Sequence, residues 1–322
     1  MAVRGKKKAV EEDEESSGEE YKEEDEETES EELVPMTKGK RKSVGSSSGT
    51  PKRSKKADDD SDEDEEALDK GALYTKSSMQ PQSLSFLAQV AANNDRDWFH
   101  DHKDDYTRSR KDYESFVMSV METLMRYDSE LPQLEPNDVC FRLHRDIRFS
   151  NDKTPYKTHY ASVFSRTGKK GPFAGYYIVL RSGSCRIGAG YFPFGDRDTT
   201  PRKFQVLRDE IANDSSRLKS RLCKIHRNTG EKLYSASSDD VEGVVNEFIQ
   251  ANEEHSLKRC PTGYDKNHPD VKLLMLKSYI ISRDVPLEDL YKLNGAEIVG
   301  KMLAELTPWV HYLNRRLVDT RN

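Results

Sequence analysis

The chain has 322 residues, 34% of them charged and 34% hydrophobic, and a formal net charge of −6. The charge is unevenly spread: residues 1–70 carry 14 Lys/Arg against 24 Asp/Glu, while residues 71–322 carry 38 against 34, so the acidity belongs to the N-terminal segment and the remainder is mildly basic. There is no run of 18 apolar residues and no apolar signal core, which argues against a membrane span and secretion and leads us to expect a soluble, intracellular protein with no membrane partner.

Residues 11–32 hold 15 acidic positions out of 22, too little apolar surface to offset the entropy of ordering, so residues 1–78 are expected to be a disordered tail. Within it KGKRK (38–42) and PKRSKK (51–56), separated by SVGSSSGT, resemble a bipartite nuclear import signal. This predicts a nuclear location, with the import machinery engaged through residues 38–56. Ser17 and Ser61, each followed by acidic residues, suit an acid-directed kinase. The acidic run could bind basic proteins, or keep the chain soluble and mask its basic remainder.

Residues 79–322 are long enough for one globular domain. Ser83 is placed to cap a short helix carrying Leu84, Phe86, Leu87 and Val90, ended by Asn93 and Asn94. A longer amphipathic helix should follow from Asp97 to about Arg126, because Phe99, Tyr106, Tyr113 and Val120 recur every seven residues. His100 and His102, two apart, do not share a helical face and make a poor metal pair. After LPQLEPND (131–138) the pattern changes to period two, predicting strands near 139–147, 159–166, 174–181 and 184–191. The last two should form a hairpin, with Gly183 in its turn supplying a positive φ. Residues 202–226 and 240–251 should be helices, residues 277–282 a further strand, and residues 296–317 a helix kinked at Pro308. Together these give an α+β domain, a largely antiparallel sheet flanked by helices. Cys140, Cys185, Cys223 and Cys260 lack paired spacing, so reduced thiols are expected and no metal or cofactor is implied.

The candidate site is RLHRDIRFSNDKTPYKTH, residues 142–159, with five Lys/Arg, two Asp and two His. As a strand, residues 139–147 would put Val139, Phe141, Leu143, Ile147 and Phe149 on one face and Arg142, His144, Asp146 and Arg148 on the other. Two arginines flanking a His and an Asp suit an anionic ligand, and Lys153 and Lys157 would close the group from a turn. Alternation points Arg145 into the apolar face, where it needs a carboxylate partner or a water-filled opening. The bland alternative is that Arg142, Asp146 and Arg148 pair among themselves or with cross-strand neighbours. Gly188 and Gly190, on one face with Arg186, leave room for a ligand or for close packing. Asp265, His268 and Lys277 form a second polar group in a loop turning at Gly263.

FLAQVAANNDRDWFHDHKDDY (86–106), FRLHRDIRFSNDKTPYKTHY (141–160), GAGYF (188–192), PTGYDKNHP (261–269) and LLMLKSYIISR (273–283) resemble the successive motifs of the conserved hypothetical family named domain of unknown function 2461, over residues 83–318. The resemblance implies an α+β domain of unassigned biochemistry and transfers no catalytic residue.

Three functional classes follow from the residues. The first is binding of an anionic, phosphate-bearing ligand, nucleic acid included, through Arg142, Arg145, Arg148, Lys153, Tyr156 and Lys157, with Tyr160 and Phe164 near enough to stack bases. The second is an enzyme acting on a small anionic substrate with His144 or Asp146 as acid or base. The third is a non-catalytic adaptor. No nucleophile elbow, phosphate loop or metal-ligand spacing marks a reaction class.

Overall fold

A computed structural model describes residues 77–148, 152–192 and 203–317. The acidic tail with its basic clusters, Ser17 and Ser61, and Phe149 on the expected apolar face lie outside these residues.

The chain enters through α1 (Pro81–Ala92), α2 (Arg96–Asp101) and α3 (Lys103–Met125). Ser83 is not the cap of α1: Pro81 opens the helix, where its missing N–H is not needed, and Ser83 Oγ donates to the buried carboxylate of Asp112 at 2.6 Å. The expected continuous helix from Asp97 is broken at His102, whose φ of −114° is not helical. Its ring stacks on Trp98 at 4.1 Å and its Nδ1 bonds the Trp98 carbonyl at 2.8 Å. The aromatic stripe survives the break, since Phe99, Tyr113 and Val120 are all buried.

After α4 (Pro136–Val139) come β1 (His159–Phe164), β2 (Gly175–Arg181) and β3 (Ser184–Tyr191), an antiparallel meander. The hairpin turns at Ser182–Gly183 as expected, but Gly183 does not adopt the left-handed conformation; Gly263, at φ +93°, does. The chain then makes a long excursion through α5 (Gln205–Asp214), α6 (Ser216–Asn228), α7 (Val241–Asn252) and α8 (Val271–Met275) before β4 (Tyr279–Val285) adds antiparallel to β3. The expected helix over 202–226 is therefore two, interrupted at Ser215. Likewise 296–317 divides into α10 (Gly295–Ala304) and α11 (Thr307–Leu317), preceded by the short α9 (Leu287–Tyr291). Pro308 sits in the first turn of α11, so it starts a helix and does not kink one.

The sheet order is β1-β2-β3-β4. One face, carrying Tyr160, Tyr176, Ile178, Ile187, Ile281 and their neighbours, packs into the main core with α1, α3, α10 and α11; Trp309 is fully buried there and donates to the Tyr279 carbonyl at 3.0 Å. The other face carries a smaller cluster of Phe141, Ala161, Val163, Tyr177, Val179, Phe192 and Ile280. Burial on both faces explains why GYYIVLR is an uninterrupted apolar run and not an alternating one. No two of the four cysteines are bonded. No helix among the described residues is long and apolar enough to cross a membrane.

Candidate functional site

The expected strand over 139–147 is not formed. Pro136 starts the short α4, which consumes Val139, and the following segment lies antiparallel to residues 156–162 through only two isolated bridges, Cys140 with Ser162 and His144 with Tyr156, which are out of register by two residues. Phe141 N donates to Ala161 O at 2.9 Å, Lys157 N to Leu143 O at 2.8 Å and Arg145 N to Pro155 O at 2.9 Å. The result is an irregular hairpin on the β1 edge of the sheet. Alternation holds from Phe141 to His144, with Phe141 and Leu143 buried and Arg142 and His144 exposed, and fails from Arg145 onward.

The hairpin stands on the corner between α1 and α2. Asn94 is its clamp: its Nδ2 donates to Tyr156 O at 2.8 Å and its Oδ1 accepts from Tyr156 N at 3.0 Å. Tyr156 is stacked on Phe99 with centroids 3.8 Å apart, and the His144 ring meets both edge-on. Tyr156 therefore belongs to the hairpin's footing and is buried. Tyr160 and Phe164 are also fully buried, which removes them as base-stacking surfaces. Tyr160 Oη instead shares a hydrogen bond with Ser109 Oγ at 3.0 Å.

Arg145 has the carboxylate partner its position requires. Its Nη1 donates to Asp152 Oδ2 at 2.5 Å and to Thr154 Oγ1 at 2.6 Å, and the side chain is only 10% exposed. Hydrogen bonds from Thr154 N and from Arg145 hold the Asp152 carboxyl down at about 2. Arg148 grips Asp146 with two hydrogen bonds, 3.0 and 2.8 Å, and the same guanidinium holds that carboxyl at about 2. Lys153 Nζ donates to the Ile147 carbonyl at 2.8 Å. Lys157 is buried over the Phe141 ring at 5.6 Å, with Lys169 over the same ring at 5.6 Å. His144 is kept below its ordinary pKa by partial burial and by Arg142 and Arg96. His144 packs among rings while Asp146 is committed to Arg148, so the two candidates for acid–base chemistry serve different partners.

The residue that sequence reasoning passed over is His159, the first of β1. Pairing with β2 sets it opposite Arg181, and its pKa is pushed down to about 3, first by burial and then by Arg181, Lys157 and Arg145. Three cations thus act on one neutral imidazole. The nearby lysine was visible in the motif, but Arg181 becomes a neighbour only through the sheet register.

The remaining candidates are structural in their contacts. A Cβ on Gly188 would lie 2.2 Å from Tyr177 Oη and 2.4 Å from the Ile281 carbonyl, so the space left by the absent side chain is taken by the tyrosine. Arg186 pairs across strands with Asp284 at 2.8 Å. His268 bonds the Ala212 carbonyl at 3.2 Å and accepts from Asp270 N at 3.0 Å, and Asp265 accepts from Asn267 N at 2.9 Å. Lys277, by contrast, lines a cleft with Tyr264. Among the described residues, one group has metal-ligating chemistry: Asp128, Glu130 and His311. His311 Nε2 lies 2.9 Å from Asp128 Oδ1, but Asp128 also accepts Tyr176 Oη at 2.7 Å and Glu130 pairs with Arg166. Its charges and lone pairs are taken up in a network that ties α11 to the loop after α3.

A family model described as conserved hypothetical protein, DUF2461, matches residues 82–312. No curated protein and no solved structure matches the chain.

Proposed function

The chain belongs to the conserved hypothetical family DUF2461, and we propose that its domain binds an anionic, phosphate-bearing ligand on the basic hairpin, single-stranded nucleic acid being the class that suits it. The observation that carries this reading is the gathering of Arg145, Lys157 and Arg181 around a His159 held neutral down to about pH 3. Burial is the largest cause of that low pKa and the three cations add to it; the positive potential they contribute also attracts phosphate. Residues 142–159 contain five Lys/Arg against two Asp, and Arg142, Arg148 and Lys153 are exposed beside the half-buried group. An exposed row of cations on a hairpin suits a polyanion lying along the surface better than a small molecule that needs enclosure. The burial of Tyr156 and Tyr160 leaves backbone charge, not base stacking, as the source of affinity. We further propose a nuclear location directed by residues 38–56, with the acidic run at 11–32 competing for the same basic face.

Fluorescence anisotropy with a labelled single-stranded oligonucleotide tests the binding. About four phosphate contacts give a slope of roughly −3 in log K against log salt. Arg142→Ala with Lys153→Ala should flatten the slope and weaken binding without unfolding the domain. Absence of binding at low salt, or affinity independent of salt, would sink the reading. A fluorescent fusion with both basic clusters neutralised tests the location, and undiminished nuclear accumulation would refute it.

A further inference from the structure

At the opposite edge of the sheet from the hairpin, a cleft of about 850 Å³ opens between the start of α5, the segment 257–264 and the residue that leads into β4. That volume falls in the range of small-molecule sites. At its base lies Arg208, 4% exposed. Its Nε donates to the Leu274 carbonyl at 2.9 Å and Nη2 to the Leu276 carbonyl at 3.4 Å, and the guanidinium lies 5.1 Å from the centre of the Phe204 ring. Carbonyl dipoles and a ring face orient a guanidinium but do not neutralise it. Among the described residues no carboxylate pairs with Arg208, and burial lowers its pKa. Asp209, its neighbour in the chain, is engaged by Tyr264 Oη at 2.7 Å.

The cleft adds three more cations, Lys258, Arg259 and Lys277, so four positive charges face one carboxylate. A buried charge of this kind is costly unless a counter-ion completes it. The apolar part of the wall is formed by Phe204, Leu257, Pro261 and the Tyr264 ring, with the polar Gln205 and Thr262 beside them.

We propose that this cleft is a second binding site, for a small organic anion whose phosphate or carboxylate head meets Arg208 and Lys277 and whose apolar body lies against Phe204 and Tyr264. The guanidinium offers a planar fork to the head group. The reading is independent of the hairpin, because the two sites share no residue.

Isothermal titration of the full chain with phenyl phosphate, benzoate, inorganic phosphate and the neutral benzyl alcohol tests it. Phenyl phosphate or benzoate should bind at least tenfold more tightly than inorganic phosphate and benzyl alcohol. Lys277→Met should weaken that binding at least tenfold with an unchanged circular dichroism spectrum, and Arg208→Gln should abolish it. Because Arg208 also holds two carbonyls and its loss could unfold α5, Lys277→Met is the deciding variant. No heat from either aromatic anion at millimolar concentration would overturn the proposal. So would binding unaffected in folded Lys277→Met, or binding lost in the hairpin double variant Arg142→Ala with Lys153→Ala.

Discussion

His159 reports on the burial and the positive charge at the foot of the hairpin. Its folded pKa of about 3 lies below the ordinary 6.5, so the unfolded chain binds the proton more readily than the folded one. Stability is then full above pH 6.5 and is lost as pH falls from 6.5 toward 3. Between pH 7 and pH 5 the full shift corresponds to about 2 kcal/mol, and partial solvent contact of the ring reduces this to about 1–2 kcal/mol. Carboxylates such as Asp128, whose pKa is lowered by its hydrogen bonds despite burial, lose stability in the same direction at lower pH. The informative quantity is therefore the difference between wild type and His159→Gln. Urea unfolding at pH 7 and pH 5 should show the wild type losing about 1–2 kcal/mol more than the variant over that interval. Equal losses would mean that the imidazole is solvated and that Arg145, Lys157 and Arg181 do not concentrate their charge on it.

The same linkage predicts that an oligonucleotide phosphate beside the hairpin raises the His159 pKa from about 3, so that binding takes up a proton and tightens as pH falls from about 5 toward 4, which calorimetry in two buffers of different ionisation heat would detect and which His159→Gln should lack. Asn94→Ala removes both hydrogen bonds to the Tyr156 backbone and should cost about 1–3 kcal/mol, with hydrogen exchange accelerated first at Tyr156. Gly190→Ala puts a Cβ 2.0 Å from the Tyr279 carbonyl at φ +143°; strain and displacement of β4 should lower stability by about 2–4 kcal/mol, seen by thermal unfolding. Asp112 accepts from Gln80 N and Ser83 Oγ while burial raises its pKa. Folding therefore favours its protonated form, and stability declines as pH rises from the ordinary carboxylate range through its raised pKa. Asp112→Asn, which keeps an acceptor, should be at least as stable as wild type at pH 7, whereas Asp112→Ala should lose about 1–3 kcal/mol.

The α+β class, the β1–β3 meander and the buried stripe of α3 were legible because each is written locally, as period-two runs broken by Ser182–Gly183 or as aromatics repeating every seven residues. The interruptions at His102, Ser215 and before Thr307 were not, since each is decided by a contact or a change of packing partner that periodicity does not encode. In the hairpin, alternation from Phe141 to His144 was correct, but without the register of residues 156–162 the sequence could not reveal that the alternation of burial lapses at Arg145. The need of Arg145 for a carboxylate was legible from charge and burial alone. Arg208 was missed because it sits in LRDE and passes for part of a polar helix face; the available signal was its spacing of four from Phe204, which puts both on one side of α5.

The late arrival of β4 in the sequence has a kinetic meaning. Strands β1 to β3 can pair as soon as residues 159–191 have left the ribosome, but the outer edge of β3 stays open until residues 279–285 are made. That contact closes a long loop, which slows folding and leaves a pairing-competent edge exposed meanwhile. Trp309, bonded to Tyr279, comes later still and latches the strand in place. A nascent or truncated chain that stops short of β4 is therefore the form most prone to edge-to-edge aggregation, and the Arg208 cleft, assembled from the excursion and the approach to β4, is completed only as that edge closes.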